Sequence, residues 1–138
     1  MIIVDSSVWI DFFSSSPGSA GVQLRRMIID AEPFALAGLM VTEVLEGLTR
    51  NITKVEEFLS MWEILEPQGL STPREAASIF RLARSRGITP TTTDALIAAM
   101  ALENQASVFT LNKDFSQIAR ITSAPAPADE PVKNNNSF

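Results

Sequence analysis

Met1-Ile2-Ile3-Val4-Asp5-Ser6-Ser7 is the stretch on which the reading of the whole chain turns. An apolar run over 1–4, cut off by an acid and two serines, has the length and punctuation of a short buried strand at its carboxyl end. No basic region precedes it, so a strand is expected rather than a signal peptide. Outward from it, 8–13 reads as a short helix stopped by Ser14-Ser15-Ser16-Pro17-Gly18. Residues 19–31 read as a second helix, with Val22, Met27, Ile28 and Ile29 as its apolar positions and Arg25 and Arg26 facing outward. Residues 34–37 form another apolar run of strand length, closed by Gly38. Beyond it Val41, Val44, Leu45 and Leu48 recur at the spacing of a helix with one buried face. A helix is expected over 53–62 and a short strand over 63–66. The next helix opens at Ser71-Thr72-Pro73, with Thr72 as N-cap and Pro73 in the first helical position, and stops at Gly87. Residues 91–103 read as a helix, 107–110 as a strand and 114–120 as a last short helix. Buried strands alternating with helices predict an α/β protein: a three-layer α/β/α arrangement around a mostly parallel sheet.

The chain has 138 residues, one domain's worth, of which 46% are hydrophobic. Its longest apolar run, 95–102, falls far short of the roughly 18 residues of a membrane span, and a cytoplasmic protein is expected. Cys, His and Tyr are absent. Disulfides, zinc–thiolate sites, Cys nucleophiles, Ser-His-Asp arrangements and His-based acid–base catalysis are therefore excluded. Any chemistry runs on carboxylates, hydroxyls, amines or a bound metal. Eleven Lys and Arg against sixteen Asp and Glu give a net charge of −5. Non-specific nucleic-acid binders are usually basic, but acids gathered round a cation would distort such a balance. From Pro125 the composition turns to Pro125, Pro127, Pro131 and Asn134-Asn135-Asn136. A domain over 1–122 with a solvated, flexible tail over 123–138 is expected.

In a parallel α/β sheet, ligands bind outside the carboxyl ends of the strands. Asp5 ends the first strand, Asn112 and Asp114 follow the strand over 107–110, and Glu43 stands in the helix after 34–37. Asp94 lies in the first turn of the helix over 91–103. Each has a plain structural reading beside the chemical one. Asp5 can cap the following helix, Glu43 can belong to a solvated face, and Glu46, one turn on, competes with it. Asp94 follows Thr91 at capping-box spacing, and Asp114 can simply start its helix. Taken together, oxygen ligands in a chain without His or Cys suit a hard cation such as Mg²⁺ or Mn²⁺. Such a cation relieves the repulsion among converging carboxylates and serves phosphodiester hydrolysis.

These residues resemble a known family. The stretch Met1-Ile2-Ile3-Val4-Asp5-Ser6-Ser7-Val8-Trp9-Ile10-Asp11-Phe12 is similar to the opening of PIN-domain ribonucleases of the VapC type, the toxins of toxin–antitoxin pairs. Thr42-Glu43-Val44-Leu45-Glu46-Gly47-Leu48 resembles their second motif, Asp94-Ala95-Leu96-Ile97-Ala98-Ala99-Met100-Ala101 their third, and Thr110-Leu111-Asn112-Lys113-Asp114-Phe115 their fourth. The resemblance implies a divalent-cation-dependent endoribonuclease, a homodimer and a small antitoxin partner. It also implies that Asp5, Glu43, Asp94 and Asp114 hold Mg²⁺ or Mn²⁺, with Ser7 beside the first acid. Many members carry an acid where this chain has Asn112, which offers a carbonyl oxygen but no charge to a second cation. Basic residues expected to meet the RNA are Arg81, Arg84, Arg86 and Lys113, with Arg25 and Arg26 as further candidates. A solvated helix face accounts for Arg81 and Arg84 equally well.

Two rival readings stand beside this one. A catalytically silent PIN-like scaffold would bind RNA or a protein partner without cutting; the acidic balance and Asn112 favour it. Four retained acids oppose it, because a purposeless cluster of repelling charges destabilises a fold. An aspartyl-phosphate protein would use Asp5 as nucleophile, but Ser7 stands where a haloacid-type phosphatase wants a second acid, and Lys113 fits a receiver domain poorly.

Overall fold

Short apolar triplets spaced along the chain become one sheet. In the computed structural model residues 1–122 are described, and the tail expected over 123–138 lies outside them. The strands are β1 (Ile2–Val4), β2 (Ala35–Ala37), β3 (Glu63–Leu65) and β4 (Ser107–Phe109), all parallel, in the order β3-β2-β1-β4. Successive strand residues point to opposite faces. Ile3, Ala35, Ala37 and Val108 enter one core, while Val4, Leu36 and Phe109 enter the other. That is why these strands read as continuous apolar runs: both faces of the sheet are covered.

The helices are α1 (Ser6–Phe13), α2 (Ser19–Ile29), α3 (Gly38–Glu46), α4 (Ile52–Leu59), α5 (Ser71–Ser85), α6 (Thr92–Glu103) and α7 (Asp114–Thr122). Helices α5, α6 and α7 fill the first core and α1, α2 and α4 the second; α3 contributes Met40 to one and Val44 to the other. The three-layer α/β/α architecture expected from the sequence is the one observed. Helix α6 buries Ala95, Ile97, Ala98, Ala99, Met100 and Ala101, and it packs more extensively on α5 than any other helix pair packs. Thr91 caps it, with Asp94 completing the capping box. Among the described residues no helix is long and apolar enough to cross a membrane.

Several local expectations give way to tertiary contacts. In α2 the buried positions are Ala20, Gly21, Gln23, Leu24 and Met27, whereas Val22 and Ile29 are exposed. Residues 20, 24 and 27 share the face that meets α1; 22 and 29, two turns apart, share the opposite one. The close approach of α1 and α2 is glycine-dependent. A Cβ on Gly21 would lie 2.9 Å from both the Phe12 nitrogen and Asp11 Oδ2. Instead the Gly21 N–H donates to Asp11 Oδ2 at 2.7 Å, so an α1 side chain secures the first turn of α2. In α3 the fully buried residues are Met40 and Val44; Val41 and Leu45 are only partly covered, and Leu48 lies beyond the helix, which ends at Glu46. Thr72 is not the N-cap of α5. The helix already begins at Ser71, and the buried Thr72 hydroxyl accepts from the Gln68 N–H at 2.7 Å and donates to Glu103 Oε2 at 2.8 Å. Its acceptor Glu103 lies across the α5–α6 contact, which local spacing does not register.

Candidate active site

The sheet order carries a change of direction at β1. Connections step outward through β2 and β3, then return past β1 to β4. The crevice beyond the carboxyl ends of the strands at such a switch is where open α/β sheets bind ligands. Val4 pairs with Phe109, and the Asp5 N–H donates to the Phe109 carbonyl at 2.9 Å. Asp5 and Thr110 therefore emerge side by side, although 105 positions separate them.

Asp5 caps the following helix, as foreseen, and also lines the crevice. Its Oδ2 accepts from the Ser7 N–H at 3.3 Å, capping α1, and from the hydroxyls of Ser7 at 2.7 Å and Thr110 at 2.9 Å. Ser7 Oγ in turn accepts from the Leu111 N–H at 3.0 Å, lacing β1's end to the segment after β4. Asp94 likewise caps its helix and lines the crevice. Oδ2 accepts from the Thr91 N–H at 3.1 Å, and Oδ1 accepts from Asn112 Nδ2 at 3.0 Å. Glu43 reaches in from α3, where its Oε1 accepts from the Ser6 hydroxyl at 3.0 Å. Glu46 is exposed. The competition between the two acids is thus resolved by which side of α3 faces α1.

Asp5, Ser6, Ser7, Glu43, Thr91, Thr93, Asp94 and Asn112, with the apolar Ile10 and Ile97, line a cleft of about 350 Å³. Among the described residues no Lys or Arg lines it. Asp114 stands outside the lining at the start of α7, but its backbone N–H donates to Asn112 Oδ1 at 3.0 Å and its charge acts on Asp94. Arg81, Arg84, Arg86 and Lys113 are exposed and outside the cleft lining. Arg81 borders a separate apolar groove between α5 and α6, and Arg84 lies over the Phe80 ring at 5.9 Å. That groove is larger, about 570 Å³, but among the described residues no carboxylate lines it. Ser6 and Thr110 were not singled out as site residues in the sequence. The signal for both was present: polar residues directly after an apolar strand.

Burial pushes both Glu43 and Asp94 above the ordinary carboxylate range. For Glu43 the Ser6 hydrogen bond opposes the shift and the charges of Asp5, Glu46 and Asp94 add to it. For Asp94 the Thr91 hydrogen bonds oppose and the charges of Asp114 and Asp5 add. A raised carboxylate binds more protons folded than unfolded between the ordinary value of about 4 and the folded value above it. Stability from these groups falls as pH rises through that interval, and the loss is complete above it. Glu43→Gln removes one such group. In EDTA, its melting temperature relative to wild type should climb as pH rises from about 4 toward neutrality and then level off. A difference independent of pH would contradict this account.

The PIN domain family matches residues 2–121. Over 130 residues, 91% of this chain and 97% of the relative, the sequence is 34% identical to ribonuclease VapC11 of Mycobacterium tuberculosis; a VapC ribonuclease of Mycobacterium bovis matches to the same extent. Among solved structures, FitAcB from Neisseria gonorrhoeae superposes with a TM-score of 0.71 at 20% identity, covering 88% of this chain and 94% of that one. DNA-bound VapBC from Salmonella typhimurium superposes with a TM-score of 0.71 at 20% identity, covering 90% and 94%. At that identity the structural likeness speaks for the fold; the sequence likeness goes further. The chain belongs to the PIN-domain family, and within it to the VapC ribonucleases. It is accordingly a nuclease of RNA, and the silent-scaffold and aspartyl-phosphate readings are set aside.

Proposed function

We propose that the chain is a divalent-cation-dependent endoribonuclease toxin whose site is the acidic cleft, with Asp5, Glu43 and Asp94 facing the cation and Asp114 adding charge behind Asp94. The observation that carries the reading is the cleft itself: three carboxylates far apart in sequence, Asp5, Glu43 and Asp94, line one concavity that no basic side chain of the described residues enters. That donor set fits a hard cation. Among the described residues, no three acids close into a ready-made ligand cluster. A cation of the Mg²⁺ type keeps several waters and takes one or two carboxylates plus substrate phosphate. When bound, such a cation lowers the pKa of water and neutralises charge developing on a phosphoryl oxygen.

The chain's own groups supply the rest. The Thr110 and Ser7 hydroxyls occupy Oδ2 of Asp5 and leave Oδ1 for the cleft. Asp94, held at both oxygens, orients the attacking water. RNA reaches the cleft across exposed basic side chains, with Lys113, next to Asp114, the nearest in sequence to the acids. The partners proposed are an RNA substrate, a cognate antitoxin and a second copy of the chain, in the cytoplasm. A toxin–antitoxin complex from Klebsiella pneumoniae and DNA-bound VapBC and FitAB are among the solved structures of similar fold.

The test is cleavage of a labelled structured RNA by purified protein in Mg²⁺, Mn²⁺ or EDTA. Cutting that needs a divalent cation and is blocked by the antitoxin encoded alongside is the expected result. Equal cutting in EDTA would refute the cation's part.

A further inference from the structure

From the sequence Asn112 is expected behind the metal-holding acids, with a carbonyl oxygen it can still offer. The structure gives that oxygen another use. Asn112 Oδ1 accepts from the Asp114 N–H at 3.0 Å, Nδ2 donates to Asp94 Oδ1 at 3.0 Å, and the Asn112 backbone N–H donates to Thr110 Oγ1 at 2.9 Å. The amide orientation follows from its partners: a backbone N–H can only donate, and an ionised carboxylate can only accept. One short planar group must present a donor at one corner and an acceptor at the other, and Asn does this where Asp cannot. Asp94 Oδ2 is already held by the Thr91 N–H at 3.1 Å, so the Asn112 amide completes the restraint on that carboxylate. The Thr110 hydroxyl also donates to Asp5 Oδ2 at 2.9 Å. A continuous hydrogen-bonded path thus runs from Asp5 through Thr110 and Asn112 to Asp94.

We propose that Asn112 is a positioning residue: its amide, fixed by the start of α7 and by Thr110, orients the Asp94 carboxylate toward the cation and the scissile phosphate. This rests on the cation-dependent reading of the cleft. Partners that orient metal-ligating groups typically change metal affinity or activity by 10–100-fold when removed.

Asn112→Ser separates the two duties of the side chain. A serine hydroxyl at this position can still accept from the N–H two residues on, but it cannot reach Asp94 as the amide does. Asn112→Ala removes both contacts. The experiment pairs a calorimetric Mn²⁺ titration with single-turnover RNA cleavage across a range of RNA concentrations. Asn112→Ser is expected to melt within a few degrees of wild type, bind Mn²⁺ about 10–100-fold more weakly and lose a similar factor in the maximal rate, with the RNA concentration for half-maximal rate little changed. Asn112→Ala should show the same functional losses with a lower melting temperature. If Asn112→Ser binds Mn²⁺ and cleaves like wild type, Asn112 only starts α7 and the proposal is overturned. If wild type itself neither binds Mn²⁺ nor cuts, the cation reading of the cleft falls, and the positioning role with it.

Discussion

Asp94→Asn should lower single-turnover RNA cleavage by about 10²–10⁴-fold, the usual contribution of a positioned acid–base group, while leaving the fold intact. The asparagine oxygen can still accept from the Thr91 N–H, so the start of α6 keeps its cap. What changes is the other corner. An NH₂ now faces Asn112 Nδ2 across the former 3.0 Å hydrogen bond, and the charge that would meet a cation is gone. Loss of that charge also relieves repulsion with Asp5, Glu43 and Asp114. The melting temperature in EDTA at neutral pH should therefore hold or rise even as activity collapses. Cleavage assays with labelled RNA, alongside thermal melts of the same preparations, check both halves. A variant that cuts within a few-fold of wild type would remove Asp94 from the reaction; one that melts much earlier would make its role structural.

Trp9→Ala should destabilise the protein by about 3–5 kcal/mol, the range for emptying a large aromatic site. Against a typical total of roughly 5–15 kcal/mol, that is a large fraction, and a fall in melting temperature of roughly 10–25 °C is expected. Trp9 is fully buried and lies against Phe12, Phe13, Phe34, Phe58 and Trp62, with ring centroids between 5.4 Å and 6.3 Å away. These rings come from α1, α4 and the segments before β2 and β3, so the indole joins elements distant in sequence. Trp9→Phe should cost much less, since most of the ring contact survives. The lost Nε1–H has no hydrogen-bond partner among the described residues, so no acceptor is orphaned. Urea unfolding followed by far-UV circular dichroism measures both. A Trp9→Ala cost below about 1 kcal/mol would mean that the aromatic cluster repacks around the hole.

The same residue shows where sequence reading reaches its limit. Trp9, Phe12 and Phe13 sit in an apolar pattern that fits a core or a surface for a partner's helix equally well. Only the position of α4 decides it, because Phe58 and Trp62 close over the cluster. Glu43 and Glu46 pose a similar problem: both lie on one helix, a turn apart. Ser6, at the start of α1, selects Glu43.

From the sequence alone, the strand–helix alternation, the polar breaks after 1–4 and 107–110, the capping box of Thr91 and Asp94, and the absence of Cys and His were all legible. They are local: each depends on residues within a few positions, and backbone geometry enforces them before any tertiary contact forms. Tertiary structure decided the rest. It turned Val22 and Ile29 to solvent and buried Gln23 and Thr72. It also committed the Asn112 carbonyl to the Asp114 N–H. Above all, it set β4 beside β1, so that Asp5 meets Thr110 and, through Asn112, Asp94. No periodicity encodes that meeting, because it depends on which strands become neighbours across more than 100 intervening positions.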